Sequence, residues 1–132
     1  MHHPLTCFIY TSALTPRSEA AVVATIVKQA RELNAIHGIT GVLIFDGERF
    51  AQYIEGPQRQ IQQLALNLAE DPRHCEFQEH YCATSAQRRF DAWSMGYADV
   101  EDCDFDIETL RTQQGEAALA FFLGASKALD IA

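Results

Sequence analysis

Residues 38–56, GITGVLIFDGERFAQYIEG, decide the fold. Two runs rich in β-branched and aromatic residues flank Asp46-Gly47, a dipeptide that accepts positive φ and is among the strongest short-range hairpin signals. Side chains alternate across a strand, so on the second run Phe50, Gln52 and Ile54 share one face while Ala51, Tyr53 and Glu55 share the other. The amide of Gln52 therefore projects into an otherwise apolar row. Buried without partners it would cost roughly 1–3 kcal/mol, so Gln52 requires a hydrogen-bonding partner inside the fold, either a side chain or a ligand.

The run at residues 5–12, LTCFIYTS, supplies a candidate. Alternation there places Phe8, Tyr10 and Ser12 together, again ending an apolar row with a hydroxyl. Two readings stand at this point. Tyr10 and Gln52 bond each other or the backbone as ordinary satisfied core residues, or they meet a ligand.

Helix signals lie on either side. Thr15-Pro16-Arg17-Ser18-Glu19 carries a hydroxyl cap, a first-turn Pro and an acid, and predicts a helix from Pro16 or Glu19 to Asn34. Its apolar stripe is Val23, Ile26, Val27, Ala30 and Leu33, and Asn34 extends that stripe or simply eases the chain out of the helix. Pro57 opens a second helix with Ile61, Leu64 and Leu68 on one face, and Asp71-Pro72 ends it. Arg73-His74 then falls in a tight connection at the end of that helix. Strands follow at residues 76–84 and 92–98, the latter with Trp93, Met95 and Tyr97 on its larger face, and helices at 105–112 and 116–129 separated by Gly115.

The order β-α-β-β-α-β-β with two further helices predicts an α+β, ferredoxin-like sheet with two helices on one face. The other face, expected to carry Ile9, Leu43 and Phe45, is too apolar to be left wet and calls for the terminal helices or a second subunit. At 132 residues the chain reads as one domain. Without a long apolar run or a signal peptide, it is expected to be soluble and cytoplasmic. Cys7, Cys75, Cys82 and Cys103 form no CxxC pair and are expected to be reduced core residues. Ten basic against eighteen acidic residues give a net charge of −8, which disfavours nucleic acid.

Tyr10, Asn34, Gln52 and the Arg73-His74 connection converge if the first and third strands are adjacent beneath the two helices. A flat slot with polar groups at its inner end suits a planar heterocycle, whose imide edge an Asn amide and an Arg guanidinium can meet while Ile26 and Leu68 press on its faces. No glycine-rich phosphate loop is present, so a nucleotide tail would be held loosely or at the rim.

Five motifs occur in one order: YTS at Tyr10, N-x3-GITG at residues 34–41, F-x-Q-x-I-E-G at 50–56, D-P-R-H at 71–74 and R-R-F-x-x-W-x-M at 88–95. Together they make the sequence similar to the BLUF domain, the blue-light sensor that uses flavin. The resemblance implies FAD, or FMN, bound noncovalently between the two helices. It matches Asn34 to the side chain on the flavin N3/O4 edge, Arg73 to one near O2, and Asp71 and His74 to neighbours of the ring and its polar chain. Tyr10 and Gln52 match the light-responsive pair, the phenol donating an electron and a proton and the amide rotating or tautomerising to strengthen a bond to the flavin C4 carbonyl. Trp93 and Met95 match two fifth-strand residues that exchange places near the flavin, so either could face inward, and because that strand runs into the terminal helices they are the expected relay.

The expected organisation is a flavin-binding core at residues 1–98 and a helical output segment at 99–132, signalling to a separate protein, with homo-oligomerisation expected. Other functions stand beside it. One is a small hydrolase using His74 or His37 as base, although Ser12 lacks a sequence-evident His partner. Another is a flavin-free interaction module. A zinc site at His74, Cys75, His80 and Cys82 has irregular spacing that fits no recognised motif.

Overall fold

The structure is a computed structural model describing residues 4–16, 21–100, 105–127, 129 and 131. Strands β2 (Thr40–Phe45) and β3 (Arg49–Pro57) form the antiparallel hairpin, with Leu43 opposite Gln52 and Phe45 opposite Phe50. Gly47 takes φ 101° in the turn, while Asp46 Oδ1 accepts from the backbone N–H groups of Glu48 and Arg49 at 2.9 and 2.7 Å. Gly41 is required for a different reason. A Cβ there would lie 2.0 Å from the Tyr53 carbonyl oxygen, so a larger residue would push β2 off β3.

Strand β1 (Leu5–Leu14) pairs antiparallel with β3 on one side, setting Tyr10 opposite Gln52, and with β4 (His74–Ser85) on the other. With the short β5 (Gly96–Asp99) parallel to β2, the sheet order is β4-β1-β3-β2-β5. Helices α1 (Val22–His37) and α2 (Gln58–Glu70) cover one face, burying Phe8, Val23, Val27 and Ile61. Across the sheet, α3 (Ile107–Arg111) and α4 (Glu116–Ser126) pack Leu110 and Phe122 against Ile9, Val42, Ile44 and Tyr53. The terminal helices thus supply the apolar cover that the second face needs.

Several boundaries differ from expectation. Leu43 and Phe45 lie on the α1/α2 face and Val42 and Ile44 take the other, because residues directly opposite in an antiparallel pair share a face. Helix α1 runs one turn beyond Asn34, closing where Gly38 donates its N–H to the Asn34 carbonyl, and its Leu33 is 54% exposed. Of its expected starts, Glu19 lies outside the described residues and Pro16 sits in a turn before Val22. β4 begins at His74, and Glu76, at φ 53°, marks a bulge where the register with β1 shifts. Bulges re-aim neighbouring side chains. β5 is only four residues long, so Trp93 and Met95 precede it in a loop instead of lying on one face of a strand. α3 and α4 are both shorter than the predicted helices. Cys7 is buried, but Cys75 and Cys82 are exposed because β4 is an edge strand, and Cys103 lies outside the described residues.

Candidate functional site

The register that sets Tyr10 opposite Gln52 also decides their chemistry. Tyr10 donates its hydroxyl proton to Gln52 Oε1, and Gln52 Nε2 donates to Met95 Sδ at 3.2 Å. All three residues are buried. Burial, helped by the negative charge of Asp71, raises the Tyr10 phenol well above its ordinary pKa, so the proton stays on the phenol at neutral pH. A carboxamide has two acceptor lone pairs and two N–H donors. These bonds therefore leave Gln52 one of each.

Beside this pair a cleft of about 160 Å³ opens between α1 and α2. Ile26 and Ala30 of α1 and Leu64 and Leu68 of α2 line its apolar sides, while Tyr10, Gln52, Asn34, Asp71, Arg73 and His74 line it with polar groups. The expected binding residues are therefore brought together around one space. Three buried side-chain polar atoms among the described residues have no hydrogen-bond partner: Ser12 Oγ and both ring nitrogens of His74, and both residues line the cleft. Buried polar groups are nearly always paired. Their concentration here fits a ligand carrying its own donors and acceptors, as a flavin ring and its hydroxylated chain do.

The remaining polar groups are partly committed. Asn34 is 2% exposed and donates through Nδ2 to the Ser94 carbonyl at 2.9 Å, leaving Oδ1 as its acceptor. Arg73 is held by Asp71 through Nε and Nη2, the latter at 2.6 Å, and donates through Nη1 to Gln29 at 2.7 Å. One N–H on each terminal nitrogen remains beyond these bonds. The Arg73 guanidinium holds the Asp71 carboxyl below its usual range, and burial holds the His74 imidazole below its own. His74 thus opens β4 inside the site, not in a solvated connection.

Met95 points inward to Gln52, whereas Trp93 packs against the cluster on the opposite side of the sheet. Ser12 Oγ and the His74 nitrogens make no bond to each other, so no serine–histidine pair forms, and His37 does not line the cleft. Among the described residues no group of three or more His, Cys, Asp or Glu is placed to hold a metal. Sequence reading did not assign Gln29 or Leu43 to the site. Gln29 lies three residues beyond Ile26 on the same helical stripe, and Leu43 follows from the hairpin register opposite Gln52.

A family model described as "BLUF: Sensors of blue-light using FAD" matches residues 5–96. The blue light- and temperature-regulated antirepressor BluF of Escherichia coli (strain K12) is 31% identical over 96 residues, 73% of this chain and 24% of that protein. The photoactivated adenylate cyclase subunit beta of Euglena longa is 31% identical over 98 residues, 74% of this chain and 11% of that one. The chain thus spans about a quarter or less of these relatives. Among solved structures, Klebsiella pneumoniae BlrP1 with FMN and cyclic diGMP superposes with a TM-score of 0.74 at 31% identity, over 92% of this chain and 34% of that one. The dark-state structure of BlrB, a BLUF protein, superposes with a TM-score of 0.77 at 29% identity, covering 90% of this chain and 92% of that chain.

Proposed function

This chain belongs to the BLUF family of blue-light sensors, and we propose that Tyr10 and Gln52 are the pair that responds when a flavin held in the α1/α2 cleft absorbs light. Family membership makes it a flavin-binding photoreceptor, the matched residues 5–96 being the sensor and not an enzyme domain. The observation that carries the assignment of the pair is the bonded phenol and carboxamide at the wall of a cleft that also gathers the unpartnered Ser12 and His74. Bound there, a flavin supplies an excited state oxidising enough to draw an electron from a nearby phenol.

Tyr10 holds its proton at rest because burial disfavours the phenolate. On losing an electron the phenol becomes strongly acidic, and its proton has an acceptor already in place at Gln52 Oε1. Gln52 can then rotate or tautomerise. Rotation would turn Nε2 toward Tyr10 and Oε1 toward Met95 Sδ, which has no proton to give, so the rotated amide exchanges its bond to Met95 for one donated to the Tyr10 oxygen. These are two discrete arrangements of the kind a switch must bias.

Asn34 Oδ1 suits an imide N–H, the spare N–H groups of Arg73 suit a carbonyl, and Ile26 and Leu68 cover the ring. Asp71 orients Arg73, and His74 and Ser12 take polar atoms of the ligand. We propose FAD as the ligand, gripped by its ring. Sites that enclose a whole ligand measure about 300–1,000 Å³, and this cleft is smaller, so the tail lies at the rim. Residues 1–98 act as the sensing core and residues 99–132 as the output segment, with Trp93 and Met95 passing the change to a separate protein.

The test is the absorption spectrum of the flavin-loaded protein before and after blue light. A reversible red shift is expected, and Gln52→Leu should abolish it with flavin still bound. Full retention of the shift in that variant would overturn the assignment.

A further inference from the structure

The segment just before β5 lies outside the strand, yet three consecutive carbonyls in it are each held by a donor from elsewhere. The N–H of Gly41 on β2 donates to the Trp93 carbonyl at 3.2 Å. On α1, Asn34 Nδ2 donates to the Ser94 carbonyl at 2.9 Å and Arg31 Nε to the Met95 carbonyl at 2.8 Å. Arg31 and Asn34 are three residues apart, so their side chains leave the same side of the helix. The backbone is thereby tied down where the Met95 side chain turns in to accept from Gln52.

The two α1 residues are not equivalent. Asn34 lines the cleft, whereas Arg31 does not and instead lines a surface groove with Val27, Lys28 and Tyr97. Its bond to Met95 is charge-assisted and so stronger than a neutral one. Arg31 therefore reaches the switch through the Met95 backbone and does not line the ligand cleft.

We propose that Arg31 is a positioning residue for the light response: by holding the Met95 carbonyl it keeps Met95 Sδ against Gln52 and sets how long the rotated amide persists in the dark. This rests on the assignment of Tyr10 and Gln52 as the responsive pair. The chain contains two methionines, Met1 and Met95, which makes the Met95 methyl resonance simple to follow in protein labelled with 13C-methyl methionine.

The experiment compares the full chain loaded with FAD as wild type, Arg31→Leu, Arg31→Lys and the control Lys28→Leu. Arg31→Leu should shift the Met95 methyl resonance in the dark and change the dark-recovery rate by about three- to tenfold, the range the net worth of one hydrogen bond implies. Flavin content should be unchanged. Arg31→Lys, which keeps a donor, should fall between, and Lys28→Leu should match wild type. An unmoved methyl resonance and a wild-type recovery rate in Arg31→Leu would overturn the proposal; should that variant not fold, Arg31→Ala, which also lacks a donor, is read in the same way. If the wild type shows no light-induced shift, the photoreceptor assignment fails by itself, while the methyl resonance still decides whether Arg31 positions Met95.

Discussion

Strand β3 carries buried polar side chains on both of its faces, and the two faces treat them differently. Toward α3 and α4, Glu55 is fully buried and accepts from the backbone N–H groups of Arg89 and Phe90 at 2.8–3.0 Å, from Thr40 Oγ1 and from the Tyr53 hydroxyl. That hydroxyl in turn accepts from Arg89 Nη1 at 2.9 Å. His80, on the same side, bonds Thr11 and the Gln113 carbonyl. Toward α1 and α2, Gln52 is bonded, but Ser12 and His74 are left unpartnered beside a cleft. A closed polar network is architecture. An open one at the same depth marks a place where something else binds.

The contrast can be broken first at Glu55. Glu55→Ala strips acceptors from buried N–H and hydroxyl groups and should cost about 3–5 kcal/mol in urea unfolding. Because the loss falls on the closed face, the light-induced shift per bound flavin should persist in the folded fraction. A lost shift at unchanged stability would place Glu55 in the sensing machinery instead.

A discrimination test is smaller. With the ring as the binding end, FAD and FMN should bind within about tenfold of each other, or ~1.4 kcal/mol, by fluorescence titration. A much larger preference for FAD would mean that the adenylate half has a built site.

Paired hydroxyl deletions sharpen the difference between the faces. Tyr53→Phe removes a bonded hydroxyl and should destabilise the flavin-free protein by about 1 kcal/mol, whereas Ser12→Ala removes an unpartnered one and should be neutral or stabilising by roughly 0.5 kcal/mol. Thermal melts of both variants without and with flavin check this, Ser12→Ala losing some of the stabilisation that flavin confers.

The smallest effect is on pH dependence. Burial lowers the pKa of both His74 and His80 from 6.5. Between the folded value and 6.5 the unfolded chain holds more protons, so stability is full above pH 6.5 and declines as pH falls through the folded values. Asp71, held below 3.8 by Arg73, acts only at lower pH. His80→Gln, which retains hydrogen-bonding capacity, should flatten part of the slope just below pH 6.5, measured as the urea midpoint against pH. An unaltered slope would mean that His80 is not one of its sources.

The light-facing side was legible because its anomalies sit at fixed periods. Gln52 and Tyr10 break apolar rows of period two, and Asn34 extends a helical stripe, so each announces itself within a few residues. Assigning Leu43 and Phe45 to the wrong face came from reading β2 without its partner. The sequences around Trp93 alternate like a strand, yet that stretch lies in a loop because its carbonyls go to Arg31, Asn34 and Gly41 instead of a neighbouring ladder. Nor could the exposure of Cys75 and Cys82 be foreseen, since it depends on β4 lying at the edge of the sheet.

By itself, then, the sequence determined the ferredoxin-like element order, the polar residues that interrupt apolar rows and the family to which their motifs belong, because these are written in local periodicity and turn chemistry. Only the tertiary structure decided that Met95 and not Trp93 meets Gln52, that Ser12 and His74 lack partners, and that Glu55 has a full set. Whether a buried donor or acceptor is satisfied depends on atoms from segments tens of residues away, and no local pattern carries that information.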